Sequence, residues 1–412
     1  MKIVLVHNSY QQPGGEDLVY QQERDLLKRA GHQVLEYHRS NHEVSQNSFV
    51  DQLALAKRTI WASDTRREFR ELLLREKPHV VHVHNTFVMI SPSVYWACHD
   101  AQTPVVQTLH NYRLLCPAGN FLRNGEVCEE CVQHSLLRGV RYGCYRGSQR
   151  ATASVALMLM VHRWRKTWTR MVDCYITLSE SARKKFREAG LPAAKLTVKP
   201  NFVSPDPGMR MGPGDYAVFV GRLSREKGLS ILLAAWERIK PPLPLLIVGD
   251  GNLRAQLNEE TAKRGLSTVA FCGQMPHRDT LAILRGARFL VYPSECYEQC
   301  PLTILEAYAC GVPVIASALG GMQELVDHGR TGILFRPGDP EDLAEKVQWA
   351  WSHVRETLSM GKECRAEYEA RYTAQKNYQT LINVYRRTIT VRARTAGSVR
   401  PLVIADPRGA EL

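Results

Sequence analysis

The sequence contains no long apolar run. The longest uncharged run with much apolar surface, Ala151–Val161 (ATASVALMLMV), is too short to span a bilayer, which takes about 20 residues. The opening residues, MKIVLVHNSY, lack both a long apolar core and a small-residue cleavage site, so they resemble a first β-strand rather than an export signal. We therefore expect no membrane-spanning helix and no secretory leader.

The composition also lacks any strong bias. Hydrophobic residues make up 44% and charged residues 23% of the 412, which is ordinary for a soluble globular protein. This length exceeds what one hydrophobic core usually serves, so we expect two domains. Eleven cysteines without an export signal indicate a reducing, cytoplasmic compartment, in which thiols act as core filler, ligands or nucleophiles.

The net charge of +13 is concentrated in one segment. Residues 138–199 carry 14 Lys and Arg against 3 Asp and Glu, whereas the rest of the chain carries 40 against 38. Within this segment, HRWRKTWTR and SARKKFREAG follow the apolar VALMLMV. Such a pattern suits an anionic membrane surface on the inner face of the cell membrane, where each basic residue contributes about 1 kcal/mol. The alternative is a buried helix with a solvated basic flank.

Short β-branched runs alternate with helix-period stretches along the chain. KIVLVHN, HVVHVHN and PVVQTLH are examples in the first half, and YAVFVGR, PLLIVGDG and RFLVYPS in the second. This alternation predicts an α/β protein with parallel sheets covered on both faces. The alternation pauses at residues 200–215, PNFVSPDPGMRMGPGD, where we place the hinge between two doubly wound halves facing across a cleft.

Polar residues recur where the predicted strands end, which is where ligands bind in such sheets. They are His7-Asn8, His84-Asn85, His110-Asn111, Gly221-Arg222, Gly249-Asp250-Gly251 and Ser294-Glu295.

FVGRLSREKG, residues 219–228, predicts a strand, a turn with Arg222 and Lys227, and a helix that opens near Gly228. A helix start offers free N–H groups and a partial positive charge, so two adjacent cations would complete an anion site. A diphosphate would fit it, each charge-assisted contact contributing about 1.5–3 kcal/mol. The alternative is that both side chains are simply solvated.

Two glutamates lie eight residues apart in ECYEQCPLTILEA, residues 295–307. Pro301 suits the first position of a helix, so Glu298 would precede the helix and Glu306 would lie on its second turn. Carboxylates accept hydrogen bonds from the vicinal hydroxyls of sugars, while the N–H groups of Gln299 and Cys300 could meet phosphates. The alternative is two surface glutamates.

These motifs together resemble the family-four retaining glycosyltransferases. The paired glutamates in PSECYEQCPLTILEAYACGVPVIAS resemble that family's signature. FVGRLSREKG, LLIVGDG and GGMQELVDHGRTGILFRPGDPEDLA are similar to its companion motifs in order and spacing. The resemblance covers roughly residues 1–390. It implies the GT-B fold, with two Rossmann-like domains, and retaining transfer of a hexosyl group from a UDP- or GDP-linked sugar without a catalytic metal.

The resemblance also implies roles for single residues. Arg222 and Lys227 would stabilise the departing diphosphate, Glu298 would contact the donor sugar, and Glu306 the ribose. The loop after Gly273 would read the base through its backbone. Where many members carry Gly-Phe, this chain has Gln299-Cys300, a change that keeps the backbone donors. The implied donor site comprises Gly14, Gly15, Arg222, Lys227, Gly251, Met275, Glu298, Gln299, Cys300, Pro301, Leu302 and Glu306.

In the first half, QQPGGEDLVYQQERDLL resembles the family's glycine-bearing loop, and Gly14 and Gly15 would allow close backbone approach to an acceptor or phosphate. His110 lies where members often place a histidine near the reacting sugar, which would make it a fourth catalytic candidate beside Arg222, Lys227 and Glu298. His84 and Asn85 are acceptor-side candidates, as is His110. Each of these three could equally be structural.

Four cysteines form a separate pattern. Cys116, Cys128, Cys131 and Cys144 have gaps of 11, 2 and 12 residues, and a central C-x-x-C with two outlying cysteines could bind a structural zinc ion. His134 could replace one ligand. The alternatives are ordinary reduced cysteines or a redox pair.

We expect an enzyme that transfers sugar to a saccharide or lipid-linked saccharide acceptor in cell-surface polysaccharide or glycolipid synthesis. A nucleic-acid-binding protein would explain the basic segment and the cysteines but would leave the glutamates and glycine loops without a role, so no nucleic acid is expected. An inactive GT-B scaffold is the other alternative. The expected domains are 1–200 with the insert at about 116–144, 201–365, a C-terminal helix at 366–390 packing on the first domain, and a disordered tail at 391–412.

Overall fold

The computed structural model describes residues 1–12, 14–44 and 48–395. The chain divides into two compact units. Unit 1 contains Met1–Phe121, Cys128–Lys199 and the chain from Asn377 onward, and unit 2 contains Leu122–Val127 and Pro200–Lys376. The change of unit at Lys199–Pro200 coincides with the start of the proline-rich segment. Six residues of the cysteine-bearing insert belong to unit 2, which the sequence did not predict.

Unit 1 is built on a six-stranded parallel sheet. Every residue of its strands VVHV and VVQTL is buried, as expected of strands covered on both faces. The six strands are β1 (Lys2–Ser9), β2 (Gln33–Ser40), β3 (Val80–Val83), β4 (Val105–Leu109), β7 (Cys174–Thr177) and β8 (Leu196–Val198), while β5 (Leu122–Arg123) and β6 (Glu126–Val127) form an antiparallel hairpin assigned to unit 2. The spatial order is β2-β1-β3-β4-β7-β8.

The helices of unit 1 connect these strands. Amphipathic α1, which directly follows β1, buries Val19, Tyr20, Leu26 and Leu27. The unit 1 helices before the hinge are α1 (Gly15–Arg29), α2 (Phe49–Ile60), α3 (Ser63–Glu76), α4 (Ser93–Asp100), α5 (Glu130–Gln133), α6 (Leu136–Tyr142), α7 (Gln149–Trp164) and α8 (Glu180–Glu188).

Unit 2 repeats the architecture with a second six-stranded parallel sheet. Its strands are β9 (Ala217–Val220), β10 (Leu245–Val248), β11 (Val269–Gly273), β12 (Phe289–Tyr292), β13 (Val314–Ser317) and β14 (Gly332–Phe335), in the spatial order β11-β10-β9-β12-β13-β14. Its helices are α9 (Leu229–Arg238), α10 (Arg254–Lys263), α11 (His277–Gly286), α12 (Leu302–Ala309), α13 (Met322–Leu325), α14 (Pro340–Ser352) and α15 (Val354–Arg371). Phe219, Leu233, Ile247 and Phe289 lie in its buried core.

The last helix, α16 (Ala374–Thr395), packs on unit 1. Its Leu381 and Tyr385 are buried in the same core as Ile3 and Val106. Its start lies eight residues after the predicted one, because α15 continues through position 366 and the chain breaks only at Tyr372–Thr373. Its end corrects the predicted tail: residues 391–395 are helical, and 396–412 lie outside the described residues. Among the described helices, none combines the length and apolarity needed to cross a membrane.

Candidate active site

The order of the strands in unit 2 creates a crevice at one point of its sheet. From β9 the chain proceeds to β10 and β11 on one side, and then to β12, β13 and β14 on the other. In doubly wound sheets, ligands bind outside the carboxyl ends of the strands at such a reversal. The loop after β9 carries Lys227, and the loop after β12 carries Glu298.

Gly228 allows these two loops to meet. It adopts the left-handed region with φ of 70° and forms the N-cap of α9. A Cβ at this position would lie 1.9 Å from the carbonyl oxygen of Pro293 in the loop after β12. Only glycine permits this approach, and the predicted helix start near Gly228 is confirmed to within one residue.

Lys227 and Glu298 form an ion pair in which Nζ lies 2.6 Å from Oε1. The hydroxyls of Tyr292 and Ser294 each donate to the same oxygen at 3.2 Å. Burial raises the pKa of Glu298, but the Lys227 charge and these hydrogen bonds outweigh it, so the net pKa is lowered. Burial lowers the pKa of Lys227, and the Glu298 carboxylate more than reverses this. Both groups are therefore charged at neutral pH, and their side chains remain 17% and 20% exposed.

The Glu298 loop is fixed by a second glycine contact. The N–H of Gly321 donates to the Glu298 carbonyl at 2.8 Å, and a Cβ on Gly321 would lie 1.9 Å from the carbonyl oxygen of Gln299. Pro301 follows as the N-cap of α12, one position before the predicted one, so Leu302 is the first helical residue. Gln299 and Cys300 directly precede this N-cap, and both are buried.

Glu306 lies on the second turn of α12, as predicted, and is 5% exposed. Its Oε1 lies 2.7 Å from Nε2 of His277, the first residue of α11. The hydrogen bond from His277 to the carboxylate raises the pKa of this histidine. Met275 lies two residues before His277, in the loop after β11, and is partly buried.

Arg222 and Gly251 occupy the neighbouring loops. The Arg222 side chain is 50% exposed, and its Nη2 lies 3.3 Å from Oε1 of Glu226, so this cation is partly neutralised. A Cβ on Gly251 would lie 2.4 Å from the Leu223 carbonyl oxygen. The loop after β10 therefore packs directly against the loop after β9.

In unit 1, Gly14 and Gly15 mark the beginning of α1. Gly14 is the N-cap, and its N–H donates to Oδ2 of Asp17 at 2.8 Å. Both glycines are exposed, and no atom lies within 4 Å of a Cβ built on Gly14. This open space leaves room for a ligand beside the backbone. Pro13 lies outside the described residues.

His84 and His110 follow β3 and β4, and their rings stack with Nδ1 of His84 3.0 Å from Nε2 of His110. Both line a cavity of about 50 Å³. Burial lowers the pKa of His110 to about 3, with His7 and Lys199 adding to the effect, so its imidazole is neutral. A neutral histidine can donate or accept a hydrogen bond, but it cannot supply a charge to a sugar site.

Asn85 lines the same cavity as His84 and His110. Its Nδ2 donates to the carbonyl of Asn8 at 2.7 Å, and its Oδ1 accepts from the N–H of Phe87 at 2.9 Å. The first bond joins the loop after β3 to β1, and the second lies within the loop. The acceptor-side role of Asn85 stays a prediction.

The four cysteines are reduced and lie near one another. Burial, together with the nearby thiols of Cys116, Cys144 and Cys128, raises the pKa of Cys131 to about 11. In the part of the chain that the structure describes, three potential metal-ligand atoms come within 4.8 Å of one another at Glu23, His82 and His84, a group without cysteines. The zinc site stays a prediction. The possible substitute ligand His134 is exposed.

Two family models match the chain. The model described as "Glycosyl transferase 4-like domain" matches residues 21–201, and "Glycosyl transferases group 1" matches residues 214–353. The glycogen synthase of Mycobacterium tuberculosis is 33% identical over 318 residues, which cover 74% of this chain and 67% of that protein. The chain belongs to the family-four glycosyltransferases.

Other members of this glycosyltransferase family match over shorter lengths. D-rhamnosyltransferase WbpZ of Pseudomonas aeruginosa is 33% identical over 167 residues, and O-antigen chain mannosyltransferase C of Escherichia coli is 30% identical over 173 residues. These matches cover 40% and 42% of this chain. In them the chain spans less than half of the relative, 43% and 46% respectively.

Solved structures show the same fold as this glycosyltransferase. Sucrose-phosphate synthase from Thermosynechococcus elongatus superposes with a TM-score of 0.71 at 20% identity, covering 95% of this chain and 99% of that one. Anabaena HepE in complex with UDP gives a TM-score of 0.68 at 20% identity and covers 93% and 99%. The predicted α/β, GT-B fold is confirmed.

The sequence did not predict the side-chain contacts of Glu298 and Glu306 with three residues of unit 2. Tyr292 and Ser294, in RFLVYPSEC, donate hydrogen bonds to Glu298, and their position at a strand end was the available signal. His277 follows the Met275 loop directly, and a histidine at a helix start beside a predicted base-binding loop was the available signal.

Proposed function

We propose that this protein is a retaining glycosyltransferase that moves a hexosyl group from a UDP- or GDP-linked sugar to a saccharide or lipid-linked saccharide. The observation that carries the proposal is the Lys227–Glu298 pair at the reversal point of the unit 2 sheet, just before the start of α12. The cation and the backbone N–H groups suit a diphosphate. The carboxylate suits sugar hydroxyls.

In the proposed transfer, the bond between the anomeric carbon and the diphosphate oxygen breaks, and the diphosphate leaves with the electron pair. Lys227 and Arg222 stabilise the negative charge that develops on it. The acceptor hydroxyl attacks the same face of the sugar, and its proton passes to the departing diphosphate. Glu298 holds the donor sugar, Glu306 holds the ribose, and no metal takes part.

The relatives support the class of donor and product. HepE was solved in complex with UDP-glucose as well as UDP, which supports a nucleotide-sugar donor. A rhamnosyltransferase and an O-antigen mannosyltransferase among the relatives support hexosyl transfer in cell-surface polysaccharide synthesis. Within unit 1, the open surface at Gly14 and the neutral His110 are the candidates for acceptor binding in this proposal.

A thermal-shift panel of nucleoside diphosphates and nucleotide sugars tests the donor assignment. We expect UDP or GDP compounds to raise the melting temperature, and Lys227→Ala to abolish the shift. Proton NMR of the product would then give the anomeric configuration, which should match that of the donor. Unchanged nucleotide binding in Lys227→Ala would refute the site, and inversion would refute the retaining mechanism.

We also propose that α7 holds the protein on an anionic membrane, on the cytoplasmic face, where a lipid-linked acceptor would lie. The helix buries Val155 and Leu159 but exposes Leu157, Met160 and Trp164, the last by 81%. Arginines and a lysine follow it at positions 165, 166 and 170. Co-sedimentation with vesicles containing phosphatidylglycerol should fall in Trp164→Ala and at high salt. Equal sedimentation of the variant would contradict the proposal.

A structural zinc ion held by Cys116, Cys128, Cys131 and Cys144 remains a proposal of its own. The thiols of Cys116, Cys128 and Cys144 are near enough to Cys131 to raise its pKa, and zinc binding would have to release the proton of that thiol. We expect zinc near one equivalent by elemental analysis of purified protein, and its loss in Cys131→Ser. Transfer should continue in EDTA because the proposed catalysis uses no metal. Metal-free wild-type protein would refute the zinc site.

A further inference from the structure

We propose that His277 is a positioning residue of the donor site. It would hold Oε1 of Glu306 so that Oε2 is directed to the ribose diol of the nucleotide. The proposal rests on the proposed function, in which Glu306 binds the ribose. It adds to that function a side chain from the neighbouring helix that fixes the carboxylate.

The contact between the two side chains is short and well placed. Nε2 of His277 lies 2.7 Å from Oε1 of Glu306. The Glu306 side chain is 6% exposed and that of His277 is 35% exposed, so a partly exposed histidine pairs with a buried carboxylate. A carboxylate in such a site needs a donor to offset its lost hydration.

The position of His277 in its helix argues for a specific attraction. As the first residue of α11, it lies at the end of a helix dipole where a positive charge is disfavoured. The hydrogen bond that His277 donates to Glu306 nevertheless raises the pKa of the histidine, and burial opposes the shift. The carboxylate is therefore a favourable partner for this ring at the helix start.

The pair also links the two parts of the nucleotide site. Met275 and Pro276, which precede His277, belong to the loop proposed to read the base, while Glu306 is proposed to bind the ribose. His277 joins that loop to α12 across 29 residues of sequence. The side chain of His277 would thus fix the position of the base-reading loop relative to the Glu306 carboxylate.

Calorimetric titration with UDP, GDP and their 2′,3′-dideoxy forms tests this inference. Wild type should bind the ribose forms more tightly, and Glu306→Gln should lose most of that preference. In His277→Ala the ratio of the affinities for the ribose and dideoxy forms should fall about tenfold, because an unrestrained carboxylate makes weaker hydrogen bonds to the diol. His277→Gln, which can still donate to Glu306, should recover part of it. The exposed neighbour Arg278→Ala serves as the matched control and should keep it.

The outcomes separate the two proposals. If Glu306→Gln loses the ribose preference and His277→Ala keeps it, His277 does not position the carboxylate and the inference fails alone. Tighter binding of ribose forms by His277→Ala would show that the histidine competes with the ribose, which also overturns it. A full preference in Glu306→Gln would overturn the ribose assignment itself.

Discussion

Each unit contains a lysine–glutamate ion pair, and the two pairs differ in solvent access. In unit 1, Lys199 contacts Glu23 with side chains exposed by only 1% and 0%. In unit 2, Lys227 contacts Glu298 with 17% and 20% exposed. Oε2 of Glu23 has no hydrogen-bond partner among the described residues, whereas Oε1 of Glu298 accepts four hydrogen bonds, the longest from the Cys296 thiol.

The difference separates a structural pair from one that can exchange partners. Around Glu23, burial lowers the pKa of His82 and His84 well below its ordinary value, so both histidines are neutral and Lys199 is the charge that offsets the carboxylate. Because Lys199 and Glu23 are almost fully buried, solvent does not reach this pair to take the place of the lysine. At Glu298, a ligand that brings its own anion for Lys227 and hydroxyls for the carboxylate can replace the ion pair without leaving a buried charge.

The largest expected effect on stability is at the unit 1 pair. Lys199→Ala should lower the free energy of unfolding by about 3–5 kcal/mol, because it removes one member of a fully buried ion pair and leaves the Glu23 carboxyl group without its lysine. Urea denaturation measures this, with the exposed Lys184→Ala as control. The double variant Lys199→Met with Glu23→Gln should recover part of the loss, since neither residue then carries a charge. If Lys199→Ala lowered the free energy of unfolding by less than about 1 kcal/mol, the unit 1 pair would not be the structural one of the two.

The same substitution in unit 2 should affect catalysis more than stability. Lys227→Ala should lower kcat by about 100- to 1000-fold, since a preorganised group facing the developing charge is removed. The free energy of unfolding should fall by about 1 kcal/mol or less, because Glu298 keeps Tyr292, Ser294 and some solvent. Steady-state transfer assays and urea denaturation provide the two values. A stability loss equal to that of Lys199→Ala would remove the distinction between the pairs.

The unit 2 pair should also show a defined acid dependence. The folded pKa of Glu298 is lowered, so its contribution to stability is complete above the ordinary pKa of about 4.5 and is lost as pH falls through the folded value. Wild type should therefore melt at a higher temperature than Glu298→Gln at pH 7, and the gap should narrow toward pH 3. A gap that widens in acid would show that the pKa shift has the opposite sign.

Part of this site could be predicted from sequence for a physical reason. Strand runs and glycine turns are local, so they placed Lys227 after β9 and Glu298 before α12. Their pairing depends on β9 lying beside β12, two strands that are distant in the chain, and alternation alone does not give that order. The His277–Glu306 contact depends likewise on which helices pack together. The hydrogen bonds of Asn85 could not be predicted either, because its partners Asn8 and Phe87 are set by backbone geometry.

The smallest expected effect is at Arg222, which sharpens the contrast between accessible and buried cations. Its side chain is 50% exposed and already shares the Glu226 carboxylate, so solvent and counter-ions screen its field. Arg222→Ala should weaken nucleoside diphosphate binding by about three- to tenfold, well below the effect of Lys227→Ala. The loss of affinity should shrink as salt rises from about 50 to about 500 mM.

Calorimetric titration of UDP or GDP at both salt concentrations measures this loss, with Arg225→Ala as the control for net charge. A salt-independent loss as large as that of Lys227→Ala would mean that Arg222 moves into a desolvated contact with the diphosphate. The exposure of a cation in this structure would then not indicate whether it acts on the ligand.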